Sequence, residues 1–195
     1  IYESNGLLLA TALQLAGAVP AQLGVVLDTE EVHRRTMERA LLGFHMLVTT
    51  GGASVGPHDL VRKVQGGLGV EEVFWGVAVK PGKPTAFGVR RGHLVFNLPG
   101  NPVSALAIFE LLVRPAVNAL LGLPRPLPAF WPAKLAVAVR RNPDRDEFIR
   151  ATVGEGDGNV TYGEAFTVQP FGNSLVTMTL TAQDIKNVLE EQFAG

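Results

Sequence analysis

Two loops rich in glycine and proline carry the residue types in this chain that are best suited to bind an anion. The first covers residues 80–84 (KPGKP), and the second, residues 98–104 (LPGNPVS), opens a long apolar segment. Prolines fix the backbone, whereas glycines let a ligand approach the main chain closely. Because Lys80 and Lys83 add positive charge, the two loops together predict an anion-binding site.

A third loop, residues 51–56 (GGASVG), lies between an apolar strand pattern and a helical pattern. Its small residues leave backbone N–H groups unobstructed, and the following helix adds its positive end, so it is suited to a phosphate or a ligand carbonyl. A tight turn from strand to helix that binds nothing has the same composition. This loop alone therefore leaves both interpretations open.

Asp28 and Asp59 each stand at the beginning of a predicted helix. An aspartate there caps free N–H groups whether or not it has another role, whereas two carboxylates at one sheet edge would suit Mg²⁺. Asn101, between two prolines, has a similar pair of interpretations, since its side chain could contact a ligand or bond its own backbone and stiffen the turn.

Composition excludes several classes of function. Seventeen basic against eighteen acidic residues give a net charge of -1, so no broad positive surface for nucleic acid is expected. The absence of cysteine rules out disulfides and thiolate ligands, and the histidine spacing predicts no zinc site. The apolar stretch 7–19 is interrupted by polar residues and glycine, so we expect no membrane span. The start at Ile1, with no basic leader, predicts a protein without a signal peptide, with an upstream portion either removed or not visible, and the cytoplasm is the expected location.

Helix and strand patterns alternate over the first two thirds of the chain. A capping box from Asp28 to Glu31 predicts the start of the second helix. The alternation predicts an α/β fold with three layers and a mostly parallel sheet, whose ligand-binding loops lie at the carboxyl ends of the strands. The predicted helices cover 6–16, 28–42, 59–68 and 102–121, and the predicted strands cover 22–27, 45–50, 70–79, 85–89 and 93–98. The last two strands are expected to form a hairpin around residues 90–92.

Three prolines at positions 124, 126 and 128 predict a stiff, extended connector. We therefore expect an α/β domain over 1–123, a linker over 124–130 and a small β-rich domain over 131–195. The strands expected in the second domain are 133–139, 148–153 and 160–168, and a helix is expected at 181–193.

Five segments of the chain follow one another in a recognisable order. Residues 1–5 (IYESN), 23–28 (LGVVLD), 50–59, 79–84 and 98–104 have the order and spacing found in molybdopterin molybdotransferases. Residues 1 to about 154 closely resemble that family, which includes MoeA and gephyrin. The resemblance implies the molybdopterin-binding fold and an enzyme that converts adenylylated molybdopterin and molybdate, with Mg²⁺, into molybdenum cofactor and AMP. It also implies a homodimer whose active site uses further domains.

The resemblance further implies roles for individual residues. Asp28 and Asp59 would serve the metal and the adenylate, and Lys80 and Lys83 would act on the molybdate oxyanion. The residues that would bind the substrates are Ser4, Asn5, Gly51, Gly52, Ser54, Gly56, Pro99, Gly100, Asn101, Pro102 and Ser104.

The tail, from about residue 158, resembles a different protein. It is similar to a piece of the C-terminal domain of 5'-nucleotidases, which implies that Phe171 and Asn173 belong to a nucleoside pocket. So short a piece cannot form that domain, so we expect it to pack without nucleotidase activity. Two other functions stay open for the α/β domain: a molybdopterin adenylyltransferase, which shares the sheet architecture, and a pterin-binding or dimerising module without catalysis.

Overall fold

The structure is a computed structural model that describes residues 3–51, 60–130, 134–135, 138–139, 144–149, 151–153 and 159–161. The chain divides into two compact units. The first lies within Ile1–Ala129 and Asn142–Phe148, and the second within Phe130–Arg141 and Ile149–Gly195.

The first unit begins with helices and continues with a small sheet. Its helices are α1 (Asn5–Leu15), α2 (Glu30–Gly43), α3 (Leu60–Gly67), α4 (Pro102–Ile108) and α5 (Arg114–Leu120), with a π-helical segment at Phe109–Val113 between the last two. Its strands are β1 (Met46–Thr50), β2 (Glu71–Trp75), β3 (Val79–Lys80), β4 (Ala86–Arg90), β5 (His93–Leu98) and β7 (Asp146–Glu147).

The main sheet has four strands in the order β1-β5-β4-β2. β1 and β5 are parallel, whereas β4 is antiparallel to both β5 and β2. The expected α/β class is confirmed, but the expectation of a mostly parallel sheet is wrong. The reason is the hairpin around Arg91 and Gly92, whose positive φ values of 49° and 86° reverse the chain in two residues.

Helices cover both faces of this sheet. On one face Leu98 and Phe96 pack with residues of α1, α4 and the π segment, and on the other Leu47 and Val95 pack with residues of α2 and α3. Successive side chains of a strand point to opposite faces, so β5 contributes to both cores. The sheet is therefore the middle of three layers, and its strand ends are free to carry loops.

The long apolar helix predicted over 102–121 is observed as one continuous run from α4 through the π segment to α5. Pro115 lacks an N–H and its ring would clash with a carbonyl one turn earlier, which a π segment relieves. Among the described residues this helix is the one long and apolar enough to span a membrane. Ala105, Ile108 and Phe109 are fully buried in it, so packing on the sheet accounts for its composition.

Two local expectations about the chain before β1 are wrong. Residues 22–27 form no strand, and Val25 and Leu27 are 76% and 69% exposed, because no described strand pairs with this segment. α2 begins at Glu30 with Thr29 as its N-cap, so the capping box from Asp28 is not formed.

The strand expected over 70–79 is divided in two. Gly76, with a φ of 83°, separates β2 from β3, and β3 leaves the main sheet to pair in parallel with β7. In this pairing Lys80 lies opposite Glu147. Residues 146–147 thus return to the first unit after the proline-rich stretch.

The second unit contains a sheet of three short strands among its described residues. These strands are β6 (Lys134–Leu135), β8 (Thr152–Val153) and β9 (Asn159–Thr161), in the order β6-β9-β8. The helix expected at 181–193, together with Phe171 and Asn173, lies outside the described residues.

Candidate functional site

The carboxyl ends of β1 and β5 meet at one edge of the sheet. The two strands are parallel neighbours with Thr50 opposite Leu98, so the chain leaves both strands at the same level. Directly after β1, Gly51 has a φ of 76° and donates its N–H to the carbonyl of Leu98 at 3.3 Å. Apart from its chain neighbours, no described residue has an atom within 4 Å of the position a Cβ would occupy at Gly51, so these residues leave its main chain open to a ligand.

Asn5, the first residue of α1, holds the two strand ends together. Its Nδ2 donates to the Thr50 Oγ1 and to the Gly100 carbonyl, both at 2.8 Å. The Thr50 hydroxyl in turn donates to the Pro99 carbonyl at 3.0 Å. We call these three hydrogen bonds the Asn5 clasp. It joins three segments that are distant in sequence and brings Asn5 and Gly100 close to Gly51.

The clasp leaves one polar atom unsatisfied. Asn5 is only 7% exposed, and its Oδ1 has no hydrogen-bond partner within the described part of the chain. A buried acceptor without a donor costs about 1–3 kcal/mol. Such groups are few in native structures, and a functional role is one explanation for them.

Gly100 lets the two turns of the clasp come close. A Cβ on Gly100 would lie 3.3 Å from the Cα of Gly51, tighter than ordinary contacts. Glycine at position 100 is therefore needed for the approach of the turn after β5 to the turn after β1.

Asn101 is the N-cap of α4. Its Oδ1 accepts hydrogen bonds from the N–H groups of Val103 and Ser104 at 3.0 and 3.3 Å. Pro102 has no N–H, and the Ala105 N–H donates to the Asn101 carbonyl at 2.9 Å. The first turn of this helix thus has no free amide, so an oxyanion at this turn would have to be bound by the preceding loop or by side chains.

Replacing Asn101 with alanine should lower the free energy of unfolding by about 1 kcal/mol, because two N–H groups lose their acceptor. Urea denaturation followed by circular dichroism would measure this loss. The Asn101→Asp variant keeps a capping oxygen and should lose only a few tenths of a kcal/mol. Equal losses for both variants would show that the cap is not what the side chain contributes.

The two predicted catalytic lysines are in different environments. The Lys80 Nζ lies 2.6 Å from the Glu147 Oε1, and the Lys80 side chain is 57% exposed. The Lys83 side chain is exposed and makes no hydrogen bond or ion pair with another described residue. Of the two ammonium groups, Lys83 is therefore the one available to an anion, while that of Lys80 is already neutralised.

The loop that carries both lysines is fixed by its central glycine. Gly82 is buried with a φ of 130°, and a Cβ there would lie 2.5 Å from the Ile108 Cδ1. The Thr85 hydroxyl donates to the Gly82 carbonyl at 2.6 Å and closes the turn. The loop is thus seated against α4, at a position set by the core.

The predicted magnesium site gains no support from the described residues. Asp28 is exposed in an irregular segment, and Asp59 lies outside the described residues, as do Gly52, Ser54 and Gly56. The part of the chain that the structure describes holds no group of three or more acidic or histidine side chains. One exposed carboxylate is too small a donor set for Mg²⁺, so we assign no step to a metal.

Ser4 and Ser104, also predicted to bind substrate, flank helices. Ser4 is the exposed N-cap of α1 but makes no capping bond there; instead the Glu3 carboxylate accepts the Gly6 N–H at 2.7 Å. Ser104 lies in the first turn of α4. Neither hydroxyl bonds to the Asn5 clasp in the described structure.

Sequence reasoning missed a buried polar network beside the clasp. Gln65 and Asn97 exchange two hydrogen bonds, at 2.7 and 2.8 Å, and the Thr49 hydroxyl donates to the Asn97 Oδ1 at 2.7 Å. Asn97 stands in an otherwise apolar strand, and that contrast was the available signal. The network ties α3 to the ends of β1 and β5.

A shallow depression of about 120 Å³ lies at the opposite end of the sheet. Arg90 ends β4 and His93 begins β5 there, so it is a full strand length from the clasp. The residues that line it are Leu41, Leu42, Arg90, Arg91 and His93. It offers an alternative location for a ligand against which the predicted site can be tested.

Comparison with known proteins identifies the family. Residues 1–119 match the model of the probable molybdopterin-binding domain, and the chain belongs to this family. Residues 145–195 match the model of the 5'-nucleotidase C-terminal domain. Both resemblances drawn from the sequence are confirmed.

Three relatives show how far the similarity extends. The chain is 33% identical to molybdopterin molybdenumtransferase 2 of Mycobacterium tuberculosis over 84% of this chain and 42% of the relative. It is 36% identical to the molybdopterin molybdenumtransferase of Haemophilus influenzae over 63% of this chain and 30% of the relative. A crystal structure of a molybdopterin biosynthesis MoeA protein from Pyrococcus horikoshii aligns with a TM-score of 0.66 and 33% identity, over 83% of this chain and 38% of that one. The chain thus spans about two fifths or less of these relatives.

Proposed function

We propose that this chain is the molybdopterin-binding part of a molybdopterin molybdotransferase, which inserts molybdate into adenylylated molybdopterin and releases AMP during molybdenum cofactor biosynthesis. The Asn5 clasp is the observation that carries the proposal. It brings Gly51 and Gly100 together at one sheet edge, in a family whose relatives are named for this transfer. A homodimer and a cytoplasmic location are parts of the same proposal.

The residues at this edge would act by positioning and by neutralising charge. The open main chain at Gly51 would hold one end of the substrate, and Lys83 would attract the molybdate dianion. Fixed donors of this kind favour reactions in which negative charge is redistributed between oxygens. The proposed contributions of Asp28, Asp59 and Mg²⁺, and of Gly52, Ser54 and Gly56, stay predictions.

The release of AMP tests this proposal. The chain would be incubated with adenylylated molybdopterin, with and without sodium molybdate, and AMP would be quantified by chromatography. Release that depends on molybdate is the expected result. Formation of adenylylated molybdopterin from ATP would instead indicate a molybdopterin adenylyltransferase.

A non-catalytic module that binds the pterin is the second candidate, and two observations favour it. The Lys80 ammonium is paired with Glu147, and the first turn of α4 has no free amide for an oxyanion. Binding of molybdopterin with no AMP release, with or without molybdate, would establish this alternative.

Replacing Glu147 with glutamine tests whether Lys80 serves the oxyanion. The pair is partly exposed, so we expect a stability change of less than about 1 kcal/mol. If Lys80 contributes to the site, freeing it should tighten molybdate binding by about threefold to tenfold, measured by calorimetry with sodium molybdate. The double variant E147Q with Lys80→Met should lose this gain, and an unchanged affinity in E147Q would exclude Lys80 from the site.

A further inference from the structure

The orientation of the Asn5 amide is fixed by its neighbours. The Gly100 carbonyl can only accept a hydrogen bond, so the group facing it at 2.8 Å must be the NH₂. The Thr50 hydroxyl donates its single proton to the Pro99 carbonyl, so towards Asn5 it can only accept. Both protons of the Asn5 amide are therefore used in hydrogen bonds, and the Oδ1 is the atom that the clasp leaves without a partner.

This leftover atom is an acceptor with defined chemistry. It is buried and has no donor among the described residues, so it requires an N–H or O–H group for its hydrogen bond. Molybdate and an ionised phosphate carry no proton to donate and would be repelled by a carbonyl oxygen. The corner next to Asn5 is therefore unsuited to the oxyanion end of a ligand.

The neighbourhood of the atom permits a flat ligand to approach. Gly51 and Gly100, which flank the clasp, carry no side chains, and Gly51 has open space where a Cβ would stand. Gly100 is exposed. Because the Asn5 amide contacts the Gly100 carbonyl directly, a heterocycle resting on this pair of glycines would lie next to the Asn5 side chain.

Resting on the function proposed above, we infer that the Asn5 Oδ1 accepts a hydrogen bond from a ring N–H of the heterocyclic part of the ligand, and so fixes which end of the substrate faces α1. The pterin ring and the adenine ring both carry such donors. In either case Asn5 separates the neutral, N–H-bearing end of the ligand from its anionic end, which lies towards Lys83.

The test compares ring and oxyanion probes on the 195-residue chain and its variants. Calorimetry would measure the affinity for a phosphate-free pterin, for adenosine and for sodium molybdate. Asn5→Leu removes the acceptor and the clasp together, whereas Thr50→Val weakens the clasp and keeps the acceptor. Gln65→Met serves as a matched control that disturbs a buried amide which makes no hydrogen bond to the clasp residues, and thermal melting would confirm that each variant folds.

We expect Asn5→Leu to weaken binding of one ring probe by tenfold or more while molybdate affinity changes less than threefold. A selective loss for the pterin assigns the pterin ring to this corner, and a selective loss for adenosine assigns the adenine. Thr50→Val should weaken ring and oxyanion probes together and by less.

Three results would overturn the inference. The first is that Asn5→Leu loses equal affinity for the ring probes and for molybdate. The second is that Asn5→Leu loses no affinity for either ring probe. The third is that Asn5→Leu and Thr50→Val lose the same affinity for every probe. Should Asn5→Leu fail to fold, Asn5→Asp keeps an acceptor oxygen, so it must keep the affinity for the ring probe within about threefold, and a tenfold loss of ring affinity would contradict us. If the unsubstituted chain binds none of the probes, the proposed function fails together with the inference. If it binds them and one of the three results above is found, only the inference about Asn5 fails.

Discussion

Replacing Gly82 with alanine is expected to lower the free energy of unfolding by about 3 kcal/mol, the combined effect of backbone strain and overpacking. The φ of 130° is one that a residue with a side chain rarely adopts. The added Cβ would also lie 2.5 and 2.6 Å from two carbons of Ile108, which is fully buried, so its side chain could move aside only by disturbing the core. Denaturation in urea would measure the loss.

Gly92→Ala is the matched control for this prediction. Its φ of 86° is also positive, but no atom lies within 4 Å of the added Cβ. Its free energy of unfolding should therefore fall by the backbone strain alone, about 1–2 kcal/mol. If the two alanine variants lose the same stability, the contact with Ile108 does not hold the lysine loop in place.

Replacing Asn97 with valine should destabilise the domain by about 3 kcal/mol, because it leaves both polar groups of Gln65 and the Thr49 hydroxyl without their partner. Asn97 and Gln65 are 3% and 4% exposed, so water cannot substitute for the lost bonds. Urea denaturation monitored by tryptophan fluorescence would give the value.

The double variant of Asn97→Val with Gln65→Met provides the decisive comparison. Removing both partners of a buried hydrogen-bonded pair costs much less than removing one of them. The double variant should therefore be more stable than Asn97→Val alone by about 1 kcal/mol or more. Additive losses would show that the two amides do not act as a pair.

The elements that could be predicted from the sequence are those that residues close together in the chain specify. The β4–β5 hairpin was predictable because two residues at its tip adopt positive φ, and the long helix because its apolar residues recur along one face. The strand expected at 22–27 was wrong because a strand exists only with a partner, which no local pattern reports. The mixed sheet was missed for the same reason, since the sheet was expected to be mostly parallel, whereas β4 pairs antiparallel with both β2 and β5.

The candidate site was predictable in its location but not in its bonding. The rule that loops at the carboxyl ends of parallel strands converge correctly brings Gly51 and Gly100 together. The sequence left open whether the Asn101 side chain contacts a ligand or bonds its own backbone, and nothing in it shows that Asn5 reaches across to Thr50. Nor does it show that Glu147, far along the chain, neutralises Lys80. These pairings depend on tertiary contacts between segments that are distant in sequence.

The most direct test of the site is an amide-resolved NMR titration of the isotope-labelled chain with molybdopterin. We predict that the largest shift changes occur at Thr50, Gly51 and Gly100, where the turns after β1 and β5 meet at the Asn5 clasp. Changes concentrated instead at Arg91 and His93, in the depression at the opposite end of the sheet, would contradict this account.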